Sequence, residues 1–415
     1  MTDITVPTVP LSPMASPAIE IPQEDRRIGL ADRRVDFADA RPAFRRMVMR
    51  GAMLELVTAG FYRFWLATDM RRHLWSHTSV DGDAPEYIGT AKELLIGFLF
   101  ALAILLPAYF GYLLLGLEAE IYQAYASLPL GLLYYVFMQF AIYRARRYRL
   151  TRTVWRGVRF SMTGSGLNYA WRVALWNILI SLSLGLALPW RQAALERFKM
   201  RYTAYGHLRG RFDGTGGQLF RRGWGLWLGL WVLVLLPFVL GYQSKPWLAG
   251  LAFIVLLFAL PFVYAMYKAI EWRWWVSGIR FGDVQFESDM GRAELIDLYW
   301  KLLGWSLLII LGLAIWYSAI AGIGYTLVEG DTPEQRFLAM AQHWGVMVPA
   351  ALGYVAGILA FWAVTRIYLL HDIWQRVASS SAVSNLEAAA DVATQGEAAG
   401  ALGEGLSGSL DVVGI

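Results

Sequence analysis

Cysteine is absent from this chain and charge is scarce: 17% of its 415 residues are Asp, Glu, Lys or Arg. Without Cys there are no disulfides, no thiolate metal sites and no cysteine nucleophile, and the redox compartment stays undecided. The low charge excludes an ordinary soluble surface, because soluble domains carry about 25% charged residues. Recognisable catalytic signatures are missing too. There is no Walker lysine loop, zinc motif, nucleophile elbow or dinucleotide fingerprint. The reading therefore contains no catalytic residue, no cofactor and no metal, and an enzyme is not expected. The net charge of +5 is small for a nucleic-acid binder, and no recognition motif accompanies it. An apolar stretch following a basic start is also missing, so no signal peptide is expected.

What the chain has instead is apolar residues, 57% of the total, and 19 Trp. They lie in long blocks: Leu94–Leu117, Ser127–Tyr143, Trp224–Tyr242, Trp247–Met266, Leu302–Tyr325 and Gly345–Leu369. A bilayer needs about 20 predominantly apolar residues per helix, and these six blocks meet that demand. Trp224, Trp247, Trp272, Trp300 and Trp344 fall near their ends, where an amphipathic ring favours the headgroup level. Ala52–Leu66 and Val173–Trp190 are shorter or carry charge; each could cross, dip in and return, or lie in the interface.

Charge placement bears on that choice. Arg144 to Arg172 holds eight Arg and no acid, and Arg191 to Arg222 holds eight Lys or Arg. Positive residues mark the cytoplasmic side. Both regions are cytoplasmic if Val173–Trp190 returns without crossing, and this is the favoured solution; the six blocks then form three hairpins. Within the first region Arg144, Arg146, Arg147, Arg149, Arg152, Arg156 and Arg159 have no acid near them in sequence. They orient the helices, and they are the candidates for contact with anionic lipid headgroups or with another anion.

The sequence also repeats. Gly60–Leu94 lies over Gly185–Leu219 without a gap, a shift of 125 residues. Gly60 meets Gly185, Trp65 meets Trp190, Arg72 meets Arg197, and Thr78 meets Thr203. Gly89-Thr90 meets Gly214-Thr215. Alternating aromatic and polar residues in these loops suit short strands, with Gly supplying the turn before the next helix. The expected fold is an all-α polytopic membrane protein of repeated transmembrane hairpins, with short cytoplasmic β-hairpin-like loops. Its parts are an unstructured arm (1–41), two membrane repeats (42–166 and 167–291), a truncated third unit (292–377) and an unstructured tail (378–415).

Four smaller patterns remain. Asp69, His73 and His77 recur every four residues and could present a metal trio, but their repeat counterparts Ala194, Phe198 and Tyr202 point to a packing surface. Glu55, Arg63 and Arg172 lie closest to membrane depth, where charge is costly; interfacial helices would let them snorkel to water. Asn168 and Asn177 could bond between helices. Pro107, Pro237 and Pro261 could kink their spans.

The pattern Gly60-Phe-Tyr-Arg-Phe-Trp, Arg71-Arg72, Thr78 and Tyr87-Ile-Gly-Thr resembles the YjgN family of bacterial inner-membrane proteins. The segment from Gly185-Leu-Ala-Leu-Pro-Trp to Phe212-Asp-Gly-Thr-Gly matches it more closely, and the tail from Gly403 to Asp411 also resembles the acidic, Gly-containing end of those proteins. The resemblance implies an inner-membrane location and supplies no catalytic residue. Departures lie around Asp81 and Asp83 and near Asp283–Asp289. What the protein moves or binds is not legible at this level; a transporter- or channel-like protein and a lipid- or partner-binding membrane module both fit.

Overall fold

The computed structural model describes residues 34–38, 40–118, 120–242, 246–329 and 332–393. Helices dominate, and short strands follow them at intervals. The chain begins with β1 (Val35–Phe37), α1 (Arg41–Val57) and α2 (Arg63–Ser76), then β2 (Thr78–Val80) and β3 (Glu86–Tyr87). Two long helices, α3 (Ala91–Glu118) and α4 (Glu120–Thr151), lead to β4 (Thr153–Trp155) and β5 (Val158–Met162). The shorter α5 (Gly166–Leu182) and α6 (Leu188–Arg201) lead to β6 (Thr203–Tyr205) and β7 (Leu208–Phe212). Then α7 (Gly216–Tyr242) and α8 (Pro246–Gly278) precede β8 (Ile279–Phe281) and β9 (Val284–Ser288). The last unit comprises α9 (Ile296–Leu327), α10 (Pro333–Gln342), α11 (Trp344–Thr365), a π-helical turn (Arg366–His371), α12 (Asp372–Ser379), β10 (Ser381–Ser384) and a 3-10 turn (Leu386–Ala389).

The residue that opens a strand also closes the preceding helix. A helix leaves its last carbonyls without backbone partners. The hydroxyls of Thr78, Thr153, Thr203 and Ser381 each donate to the carbonyl four residues back, at 2.6–2.9 Å. At the other end of the loop, Thr90 with Glu93 and Thr215 with Gln218 exchange backbone and side-chain bonds, a capping box that starts the next helix. Arg156 and Gly157 both take positive φ between β4 and β5, as a tight hairpin turn demands.

The strands do not stay in separate hairpins, and here the all-α expectation is corrected. Eight of them pair antiparallel in the order β10-β9-β8-β7-β6-β5-β4-β3, and β1 pairs with β2. The isolated bridge Arg34↔Ala382 joins the two sheets where β1 meets β10, while Val80↔Asp83 closes the turn that follows β2. The ten strands thus follow one another around an open ring, with no strand pairing between β2 and β3 among the described residues. Its apolar interior contains Val35, Trp155, Val158, Tyr205, Val284 and Val383. Loop composition conceals this outcome, because each strand is only 2–5 residues long and acquires stability only from its neighbours.

Two boundaries also move. The arm expected to run to residue 41 already contributes Val35–Phe37 to the ring, and the tail expected from 378 supplies β10 and the turn Leu386–Ala389. Val383, Leu386 and Ala389 are buried in the ring interior, so apolar burial outweighs the Ala- and Ser-rich composition. The rest of both expected segments, and the Gly403–Asp411 resemblance, lies outside the described residues.

Among the described residues five helices are long and apolar enough to cross a membrane: Ala91–Leu115, Gly216–Tyr242, Pro246–Gly278, Ile296–Leu327 and Trp344–Ser379. Each overlaps one of the blocks read from sequence; the sixth block, Ser127–Tyr143, lies in α4. Their outer faces carry large exposed apolar residues such as Leu114, Phe238 and Ile310, a surface that hydrocarbon suits and water does not.

The ring constrains the intervening helices. Strand β5 pairs with β6 through Phe160↔Tyr205, Ser161↔Ala204 and Met162↔Thr203, so α5 and α6 leave and rejoin the same face. Ser161→Cys and His207→Cys, in a chain without native Cys, should therefore react with an impermeant maleimide from the same side of the membrane. Labelling from opposite sides would contradict the β5–β6 pairing.

Candidate functional site

The residues singled out in the two loops occupy matching places. Ala59 and Leu184 have φ of 50° and 49°, and the following Gly60 and Gly185 have 88° and 89°. Left-handed backbone of this kind favours Gly, and it makes the turn between paired helices. Arg72 donates to the Gly89 carbonyl at 3.0 Å and Arg197 to the Gly214 carbonyl at 3.2 Å. At Gly89 and Gly214 an added Cβ would lie 2.6 Å from the ring of Tyr87 or Phe212, so each aromatic ring folds over the glycine two residues on. Thr90 and Thr215 form the capping boxes described above, and Thr78 and Thr203 close the helices. Trp65 and Trp190 stay partly exposed, near Tyr62 and Phe220 respectively. These are architectural positions.

The arginines of the first basic region divide into groups. Arg152 forms a 2.5 Å ion pair with Glu93, whose other oxygen accepts from the Tyr148 hydroxyl at 2.5 Å. Arg156 pairs with Asp81 and Asp83 at 3.0 and 2.5 Å. Arg159 is half-buried on β5, in register with Val154. Arg144, Arg146, Arg147 and Arg149 are half-buried along the last turns of α4. The Nε atoms of Arg144, Arg146 and Arg147 are buried without a hydrogen-bond partner among the described residues. Acids distant in sequence thus reach Arg152 and Arg156, which sequence spacing does not reveal.

The charges nearest membrane depth are held by the protein. Glu55 is buried and pairs with Arg366 at 2.9 Å, which replaces the expected snorkelling to water. Arg63 stacks over Phe64 and Phe98, and Arg172 over Phe198. Asn177 donates to the Tyr135 hydroxyl at 2.6 Å, linking α5 to α4, whereas the backbone N–H of Asn168 is capped by Ser165. His73 packs between Phe44 and His77. Burial first, then the neighbouring His77 and His371, push its imidazole down to about 4. Among the described residues no group of three or more His, Cys, Asp or Glu could hold a metal ion.

Arg146 leads to the site with the most chemistry. On α6, Glu196 is buried and forms an ion pair with Lys199 three residues on. Arg146 lies 3.8 Å from the Glu196 carboxylate, and the Trp275 indole donates to it at 3.0 Å. Facing this pair on α8, Lys268 and Glu271 form a second pair at 2.7 Å, and Gln192 donates to Glu271 at 2.8 Å. Burial pushes the Glu196 carboxyl up, but Lys199 and Arg146 outweigh it and hold the group below the ordinary carboxylate range. It therefore stays ionised. Neighbouring in the chain, Arg191 has a buried Nε and Tyr267 a buried hydroxyl, each without a hydrogen-bond partner among the described residues.

Arg146, Gln192, Glu196, Lys199, Lys268 and Glu271 line a pocket of about 320 Å³, which Tyr264, Trp272, Trp274 and Tyr299 help to wall. Three cations and two carboxylates leave it one positive charge in excess. Below it runs an apolar groove of about 600 Å³, bounded by Leu226, Trp227, Leu230, Leu260, Pro261 and Leu302. Tyr264, Tyr299 and no other residue line both spaces. The spacings Glu196-x-x-Lys199 and Lys268-x-x-Glu271 place each pair on one helix face, and that was the signal available in sequence. It is weak, since the same spacing marks any solvated helix.

A membrane-embedded helical assembly gathered onto a strand ring, with a charged pocket over an apolar groove, is thus the class of protein the fold defines. The family described as bacterial protein of unknown function (DUF898), which is the YjgN family, matches residues 32–408, and this chain belongs to it. No curated protein and no solved structure matches the chain.

The buried pair on α6 makes a clear energetic prediction. Removing one partner of a buried ion pair strands the other and costs about 3–5 kcal/mol. Lys199→Met should lower the thermal midpoint of the detergent-solubilised protein, and the double change Lys199→Met with Glu196→Gln should recover most of the loss. A double variant no more stable than Lys199→Met would contradict the coupling.

Proposed function

We propose that this protein is a bacterial inner-membrane carrier for an anionic amphiphile, in which the charged pocket holds the headgroup and the apolar groove holds the chain. The observation that carries the reading is the junction at Tyr264 and Tyr299, where a site with excess positive charge meets an apolar groove. Ligand sites are usually mostly apolar clefts with a few placed polar groups. Tyr267 lines the groove, and its buried hydroxyl, without a hydrogen-bond partner among the described residues, is a group that a ligand oxygen would satisfy.

Several further features support transport over static binding. The groove is walled by α7 and α8, and both carry an internal proline, Pro237 and Pro261; such residues give helices places to bend. Elements α1, α2, β2 and the start of α3 recur as α5, α6, β6 and the start of α7 at a constant shift of 125 residues. We read this as an internal repeat, a common basis of alternating access. The Arg-rich strand ring then faces the cytoplasm by the positive-inside bias. The protein would act without a cofactor and without catalysis. Arg144 and Arg147, near the same pocket in the chain, are the arginines of the first basic region we assign to headgroup attraction.

Flipping of fluorescently tagged phosphatidylglycerol in proteoliposomes, read by dithionite quenching, tests the proposal. Wild-type vesicles should flip the probe. Arg146→Gln with Lys268→Gln should slow flipping at least tenfold, as should Leu230→Trp, which fills the groove. A wild-type rate equal to that of protein-free vesicles would contradict the transport reading.

A further inference from the structure

A second groove, of about 840 Å³, lies between the start of α1 and the α9–α11 pair. It shares no lining residue with the pocket or groove described above. Arg41, Arg45 and Arg46 stand at one end, and Met49, Ile309 and Val364 line the rest. Its volume falls within the range of about 300–1,000 Å³ typical of ligand sites.

Its chemistry is ordered along α1. Arg41 is held by Asp372 at 2.7 Å and lies over the Tyr368 ring. Arg45 and Arg46 are exposed and have no ion-pair partner among the described residues. Met49, one turn beyond Arg45, is exposed and apolar. The first turn of α1 carries neither a side-chain cap nor an acidic residue, so the positive end of the helix adds to the arginines. Trp305 and Tyr368 line the groove and are linked by a 3.1 Å hydrogen bond, and such aromatic residues settle at the headgroup level of a bilayer. Cations, then amphipathic aromatics, then alkyl side chains match a phospholipid read from phosphate to acyl chain.

We propose that this groove is a binding site for one anionic phospholipid, with its phosphate on Arg45 and Arg46 and its acyl chains against Met49, Ile309 and Val364. The excess of cations over the single carboxylate of Asp372 selects an anionic headgroup over a zwitterionic one. The lipid seats α1 against α9 and α11, next to the buried Glu55–Arg366 pair that joins α1 to the π-helical turn after α11. The site is independent of the carrier pocket.

Native mass spectrometry of the whole chain in mild detergent, titrated with phosphatidylglycerol and phosphatidylcholine, tests the proposal. Wild type should retain one phosphatidylglycerol in preference to phosphatidylcholine. Arg45→Gln with Arg46→Gln should weaken that retention at least tenfold, and so should Ala360→Phe, which fills the groove; all three positions are exposed and tolerate change. Arg146→Gln with Lys268→Gln should leave this lipid in place, which separates the site from the carrier pocket. Unchanged retention in both groove variants would overturn the proposal. Retention that appears only after deletion of residues 1–33 would also overturn it, by making the chain's own acidic segment around Glu20, Glu24 and Asp25 the occupant.

Discussion

Backbone pairing around the strand ring is the constraint on which the rest of the structure depends. Short strands alone are marginal in water, yet here all except β2 and β3, at the open end, have a neighbour on both sides, and the first and last strands meet through Arg34↔Ala382. Because every described helical pair emerges from the ring and returns to it, all of them must turn back. Within Val173–Trp190, which hydropathy alone reads as one apolar stretch, the chain turns between α5 and α6 and comes back to β6. The ring also brings α4, α6 and α8 together at their ring ends, where Arg146, Glu196, Lys199, Lys268 and Glu271 meet.

Low charge in the sequence turns out to be charge concentrated. Few ionisable residues are available, and several of those withdrawn from the surface are used in pairs: Glu55 with Arg366, Glu196 with Lys199, and Lys268 with Glu271. Buried pairs add little net stability over apolar packing but are costly to break. Their value is positional. They fix which helix faces meet, and around the α6–α8 pocket they leave a positive excess beside an apolar groove. The π-helical turn Arg366–His371 carries the partner of Glu55 and widens α11 at that point; such turns recur at functional sites.

Much of the architecture was legible in the chain. The apolar blocks located the spans because hydrocarbon imposes a length on any helix that crosses it. Gly60 and Gly185 were legible as matched positions, but the left-handed turn that accounts for the match emerged only with the backbone in place. Thr78 and Thr203 were visible as matched positions, but their work as helix-closing donors emerged only with the carbonyls of Leu74 and Lys199 in place. The ring was not legible. A strand such as Ser381–Ser384 has no pattern of its own and exists because Phe286 and Gln285 lie opposite. Nor was the pairing of Arg152 with Glu93 and of Arg156 with Asp81 and Asp83, because it is made across 59 to 75 residues of chain. The pocket was missed for the same reason, as its two Glu–Lys pairs sit on different helices.

The joining of the two sheets at β1 and β10 is the claim on which the single strand ring rests, and one cross-link measures it directly. Opposed residues of antiparallel strands lie about 4.5–5.5 Å apart, within the span a disulfide bridges. With no native Cys to interfere, Arg34→Cys with Ala382→Cys should form an intramolecular disulfide in membranes under mild oxidation, seen as a reducible shift in electrophoretic mobility. Arg34→Cys with Ser161→Cys, placed on strands that do not pair, should not. Failure of the Arg34–Ala382 pair to cross-link, or equal cross-linking of both pairs, would contradict the joining of the two sheets into one ring.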